Sequence, residues 1–310
     1  MIHEDPIIRK LILLGENNDS VRAMILTSSR CDSNAPVDVF SDYDVEIFTD
    51  SPSAFGASDE WFEALGPVLT LLRLDGQDEG ERWHTRLVLY DDGTRVDYQI
   101  AHLDELKKIC QMASLPDSYD IGYKVLIDKD GVAASLKKPT YRAYIPAPPS
   151  ESEYAFLVNG FWWNSTYVSK YLWRDDLMAA KFMLDHGLIQ DHVLKMLEWS
   201  IEVKRGWAWR PGQYGRGLKK ALDPDTYKEL VTTYARGDIE ELWESLFRTA
   251  ALFRKTAMEV AESLGFNYAH DLDRRVTIYH RTVRTLNRRT TSRDDLARLL
   301  RESYEEERSS

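Results

Sequence analysis

The sequence predicts two domains of different class: an α/β (α+β) domain with a small mixed sheet over residues 1–145, then an all-α helical bundle domain over residues 150–310. Three observations carry that expectation. A chain of 310 residues corresponds to about two domains at ~150 residues each. Short segments rich in β-branched and aromatic residues crowd the first half, whereas apolar residues recur with helical period through the second. Between them, Tyr141–Ser150 contains Pro146, Pro148 and Pro149, which deny both helix and central strand and mark a linker.

The elements follow in order. Ile7, Ile8, Leu11, Ile12 and Leu14 form a helical stripe over residues 6–16. Residues 21–26 read as a strand, followed by a polar loop from Cys31 to Ser41. Residues 43–49 form a second strand, stopped by Asp50-Ser51-Pro52, and residues 61–65 a short helix. Further strands are expected over 68–74, 83–90 and 94–100. Asp91-Asp92-Gly93 joins the last two, glycine tolerating the positive φ of a tight hairpin. A helix over 102–112 completes the sheet domain. Ser150 and Glu153 then fit a capping box that opens the helical half. Helical period covers 154–171, 175–184, 189–204, 224–235, 239–264 and a tail from Arg293, whose end from Glu305 is expected to fray.

Composition narrows the function. Residues 1–150 hold 26 acidic and 15 basic side chains, so the whole net charge of −11 lies in the first half. That argues against a nucleic-acid partner, whose phosphates need a basic surface. It suits a small cationic substrate or a divalent metal, although a solubilising acidic surface explains charge alone equally well. Cys31 and Cys110 cannot build a disulfide framework, and no Cys-x-x-Cys is present to hold zinc. Acids precede the first short apolar run, unlike a secretory signal, and no run reaches membrane-spanning length. A cytoplasmic protein without a membrane partner is expected, as monomer or homodimer. The seven histidines show no metal-binding spacing.

Chemistry concentrates around Thr27-Ser28-Ser29-Arg30 and Ser41-Asp42-Tyr43-Asp44. Residues two apart on a strand face one side, so Asp42 and Asp44 present two carboxylates together, a hard-oxygen set suited to Mg²⁺. The serine turn offers hydroxyls, N–H groups and the Arg30 guanidinium to phosphate oxygens. Asp-x-Asp alone proves little, since Asp128/Asp130, Asp223/Asp225 and Asp271/Asp273 repeat it. Only Asp42/Asp44 leads into an apolar strand after a hydroxyl-rich turn. Asp97, inside a strand pattern where aspartate is disfavoured, supplies a third carboxylate. The alternative is that Asp97 merely pairs with Arg95 or Arg30.

Ser-Ser-Arg, Asp42-x-Asp44 and a later strand aspartate together resemble the nucleotidyltransferase superfamily that includes DNA polymerase β. The whole run from Ser28 to Asp44 is similar to the aminoglycoside 6-adenylyltransferases, which modify streptomycin. So are Phe161-Trp162-Trp163, Tyr171 to Leu177, Met196 to Trp199 and Gly212 to Lys220 in the helical half. The resemblance covers residues 5 to 275. It departs from the family twice. Ser28 occupies the place of a glycine that lets phosphate approach the backbone, and Glu46 puts a further acid on the Asp42/Asp44 face.

The resemblance implies Mg²⁺-dependent transfer of AMP from ATP to an aminoglycoside hydroxyl, giving antibiotic inactivation. Asp42, Asp44 and Asp97 are then the metal and catalytic residues, with Asp97 as general base or second-ion ligand. Ser28, Ser29, Arg30, Lys219 and Lys220 are the phosphate contacts. A polycationic acceptor calls for carboxylates and flat rings, and Trp163, Trp173, Asp175, Asp176, Glu198 and Trp199 are the candidates. Tryptophans in a bundle are more often core, and Trp162 and Trp163 cannot share a face. Competing readings keep the chemistry with another acceptor, antibiotic or macromolecule, or make the chain a degenerate non-catalytic nucleotide binder. The basic run Arg274–Arg289 reads as a solvated helix face balancing the acidic half.

Overall fold

The computed structural model describes residues 5–32, 37–78 and 81–309. They form two compact units, Met1–Tyr144 and Ile145–Ser310.

In the first unit, helix α1 (Pro6–Asn17) starts where Asp5 accepts hydrogen bonds from the Ile7 and Ile8 N–H groups and Pro6 sets the first turn. Strand β1 (Val21–Thr27) leads into one helical turn at Ser28–Arg30, then β2 (Tyr43–Thr49). Helix α2 (Pro52–Gly56) and a turn at Glu60–Leu65 precede β3 (Val68–Asp78), β4 (Glu81–Tyr90) and β5 (Arg95–His102). Helices α3 (Leu103–Gln111) and α4 (Asp117–Asp120) follow, and β6 (Lys124–Asp128) is an added edge strand that periodicity did not predict. The sheet order is β3-β4-β5-β2-β1-β6. The β2/β5 pair is parallel and the other pairs antiparallel. Both faces are covered. Ile8 and Leu11 of α1 pack with Met24, Val45, Ile47 and Tyr98 on one side. Leu103, Leu106 and Tyr119 pack with Ala23, Ile25 and Phe48 on the other. Burial on both faces explains why β1 is nearly all apolar rather than alternating.

The second unit opens with α5 (Glu151–Trp173), and both halves of the Ser150/Glu153 capping box are formed. Helix α6 (Leu177–Phe182) runs through a π-helical segment, Met183–Val193, into α7 (Leu194–Arg205). The break expected at residues 185–188 is therefore absent, because Leu184, Leu188, Ile189 and Val193 are all buried across it. Short α8 (Leu218–Ala221), α9 (Pro224–Thr232), long α10 (Ile239–Leu264) and α11 (His270–Thr285) follow. Helix α12 (Arg293–Ser309) keeps its form through the residues expected to fray; within it Arg298 pairs with Glu302 at 3.0 Å, and Arg274 of α11 reaches Glu307 at 3.8 Å. Phe161 of α5 stacks on Phe253 of α10 at 3.8 Å in the centre of this core. Among the described residues, no helix is long and apolar enough to cross a membrane.

Arginines of the basic run form ion pairs inside their own unit: in α11 Arg274 with Asp271 and Arg284 with Glu240 and Glu244, and beyond its end Arg288 with Asp175.

Candidate active site

The site is built at one end of β2 and β5. Their parallel register places Asp44 directly beside Asp97. Val45, Ile47, Val96, Tyr98 and Ile100 belong to the core on the α1 side of the sheet, so alternation turns Asp44 and Asp97 to the opposite, α3 side. Burial, followed by the nearby Asp97 charge, pushes the Asp44 carboxyl up to about 6. A hydrogen bond from Ser28 opposes that shift.

Arg95, two residues before Asp97 on the same strand face, holds both Asp97 oxygens, Nε to Oδ1 at 3.1 Å and Nη2 to Oδ2 at 3.2 Å. Its Nε also lies 3.7 Å from Oδ2 of Asp42. The ion pair with Asp97 lifts the Arg95 pKa above its ordinary value. Of the two partners considered for Asp97, the structure selects Arg95. As they stand, no three His, Cys, Asp or Glu side chains among the described residues form a ready-made metal cage. The expected Asp42/Asp44/Asp97 set is thus a carboxylate pair with a third acid joined through a guanidinium.

Arg30 is engaged within the loop. Its Nη2 and Nε donate to the carbonyls of Ser41 at 2.7 Å and Asp42 at 3.1 Å, and its guanidinium covers the Tyr43 ring at 3.6 Å. Tyr43 in turn donates to Asp5 at 2.8 Å. These contacts anchor the loop that delivers Asp42, so Arg30 braces that loop. Ser28 has φ of 62°, the left-handed region that favours glycine, in a turn closed by the N–H groups of Cys31 and Asp32 on the Ser28 carbonyl. Glu46 does not join the cluster through a hydrogen bond. It is half-buried and accepts from the Tyr119 hydroxyl at 2.7 Å, and desolvation pushes its carboxyl up to about 7. Cys31 donates to the Leu26 carbonyl, and burial pushes its thiol up to about 12.

The other Asp-x-Asp pairs serve structure. Asp128 accepts from the Val132 and Ala133 N–H groups and Asp130 pairs with Arg22. Asp223 caps α9, and Asp273 is gripped by Arg254 and Tyr268.

The acceptor candidates divide. Trp163 is 66% exposed, whereas Trp199 is 6% exposed within the helical core, so the expected acceptor role of Trp199 is replaced by packing. Trp173 is half-buried and its indole N–H donates to the Leu286 carbonyl at 3.0 Å, again a structural task. Asp175 pairs with Arg288 at 3.1 Å and Asp176 caps α6. Glu198 is half-buried beside Lys195 at 3.3 Å, and burial raises its carboxyl. Lys219 and Lys220 are exposed on α8.

A mixed sheet carrying paired aspartates on adjacent parallel strands beside a serine turn, followed by a helical bundle, defines a nucleotidyltransferase. The chain belongs to the streptomycin adenylyltransferase family, whose model matches residues 1–283. It is similar to the aminoglycoside 6-adenylyltransferase of Bacillus subtilis (strain 168), 30% identical over 269 residues, 85% of this chain and 91% of that one. It is also similar to the enzyme of that name from Campylobacter jejuni, 27% identical over 80% of this chain and 84% of that one. The crystal structure of an aminoglycoside 6-adenyltransferase from Bacillus subtilis aligns at 25% identity with a TM-score of 0.46, over 90% of this chain and 97% of that one.

Proposed function

We propose that the chain transfers AMP from ATP to a hydroxyl of an aminoglycoside, with streptomycin the first acceptor to test, and so inactivates the antibiotic. The supporting observation is the Asp44–Asp97 register on β2 and β5, with Asp42 tied to the same guanidinium. In the reaction an acceptor hydroxyl oxygen bonds to the α-phosphorus, the bond to pyrophosphate breaks, and the hydroxyl proton passes to Asp97. Asp42, Asp44 and Asp97 offer the hard carboxylate oxygens that Mg²⁺ prefers. Bound there, Mg²⁺ would neutralise charge on the attacking and leaving oxygens. Ser28 and Ser29 border the phosphate side of this cluster. Trp163, Asp176 and Glu198 are the acceptor contacts, an exposed ring and two carboxylates suited to a polycation.

Mass spectrometry of streptomycin incubated with ATP, Mg²⁺ and the protein is expected to show the added mass of one AMP. Asp44→Asn should lower product at least ~100-fold while leaving the circular dichroism spectrum intact. Product at the native rate from that variant would remove Asp44 from the chemistry. Adduct on another aminoglycoside but not streptomycin would keep the reaction and change the acceptor.

A further inference from the structure

Resting on the metal assignment above, we propose that Arg95 is the resident counter-ion of the carboxylate cluster, which a divalent cation must displace, so that Arg95 couples metal binding to nucleotide binding. Both oxygens of Asp97 are already engaged by this one side chain, at 3.1 and 3.2 Å. The same guanidinium reaches Asp42 at 3.7 Å. Asp44 stands beside Asp97 in the strand register, and its charge also acts on Arg95. A metal that ligates Asp97 therefore competes for lone pairs that Arg95 holds. The other arginine near the loop cannot substitute, because Arg30 faces the Ser41 and Asp42 carbonyls, Tyr43 and Asp5.

The displaced guanidinium needs a new anion. Its side chain is 47% exposed, so it can swing away from Asp97 without unpacking the sheet. With metal alone, the freed charge gains no phosphate partner for the two-point hold it gives up, and the exchange is opposed. With a nucleotide, the phosphate oxygens brought to the same end of the sheet supply the missing partner, and guanidinium–phosphate pairing is a strong, directional contact. Metal and nucleotide then favour each other, and linkage requires the factor to be the same in both directions. Arg95 is thus a positioning residue that discourages the free ion and admits the ion–nucleotide pair.

The test is Mn²⁺ binding, followed by loss of the free-ion electron paramagnetic resonance signal, with and without a non-hydrolysable ATP analogue, the ion held by the analogue alone being subtracted from protein-free titrations. Arg95→Gln is expected to bind Mn²⁺ alone about tenfold more tightly than the native protein, because a unit positive charge beside the ligands is gone. Its coupling to the nucleotide should fall by a similar factor. Arg95→Lys keeps the charge but loses the two-point hold, and should lie between them. Should Arg95→Gln fail to fold by circular dichroism, Arg95→Lys decides, with an expected rise in Mn²⁺ affinity of about threefold. Equal affinity and coupling in native and variant proteins would overturn the role of Arg95 while leaving the metal assignment standing. Absence of Mn²⁺ binding in every protein, with nucleotide present, would remove the metal assignment and this role with it.

Discussion

Ser28 shows how a single side chain can be both a cost and a support. With φ at 62° it occupies a backbone region where a Cβ costs on the order of 1 kcal/mol or more. Its hydrogen bond to Asp44 helps keep that carboxyl ionised against burial. A glycine would remove the strain and open the turn to phosphate, and would also delete the hydroxyl. Ser28→Gly is therefore expected to lower the KM for ATP several-fold, while Ser28→Ala, which keeps the Cβ and loses only the hydroxyl, should not. Steady-state kinetics on the two variants checks this. A KM for Ser28→Gly at or above the native value would show that the Cβ does not limit phosphate approach. The glycine preference of this position was legible in the sequence through resemblance. Its physical cause, a left-handed residue at the end of β1, needed the backbone angles.

At the scale of elements, the serine turn is held from outside by Gly122, between α4 and β6. A Cβ at Gly122 would fall 2.3 Å from the Cys31 carbonyl oxygen, and its φ of 126° is itself one that other residues avoid. Gly122→Ala should displace the Ser28–Cys31 turn from its place at the end of β1. We expect a destabilisation of about 2–4 kcal/mol in urea unfolding, with a larger loss of activity than of stability. Native stability in this variant would mean that the turn yields without cost. Gly122 went unremarked in the sequence because β6 did. Lys124–Asp128 is five residues long, lies at the sheet edge, and follows a helix of only four residues. Such a strand is specified by the neighbour it pairs with more than by its own period. The π-helical Met183–Val193 was hidden for a related reason, since its buried positions do not repeat at 3.6 residues. Charged residues inside apolar strands were the readable part of the site. Asp44 and Asp97 contradict their local pattern, and their i,i+2 spacings from Asp42 and Arg95 place each pair on one face. Which arginine answers Asp97 was open, because Arg30 lies across a loop whose path the sequence does not specify, and coordinates turn it toward Tyr43.

For the molecule as a whole, the two units carry buried ionisable groups that respond to pH in opposite directions. In Met1–Tyr144, burial raises Asp44 to about 6 and Glu46 to about 7. A carboxyl whose folded pKa lies above its unfolded one binds its proton more tightly when folded. Its contribution is complete below pH ~4 and is lost as pH rises through 6 to 7. In Ile145–Ser310, His280 is buried between Ser165 and Ser169, and burial lowers its pKa to about 3. The unfolded imidazole takes up a proton below pH ~6.5 while the folded one does not, so stability is lost as pH falls from 6.5 toward 3. Each group acts with a slope of at most ~1.4 kcal/mol per pH unit between its two pKa values. Moving from pH 7.5 to 5 in EDTA should therefore strengthen the sheet unit's contribution from these groups and weaken the helical unit's. Hydrogen exchange read by mass spectrometry can follow both at once, after correction for the intrinsic pH dependence of exchange. Peptides from β2 and β5 should gain protection at pH 5 relative to peptides from α5 and α11. Glu46→Gln should flatten the first trend, and His280→Gln the second. If protection in both units shifts together with pH and neither variant alters its own trend, then other charges, not these three buried groups, govern the acid response.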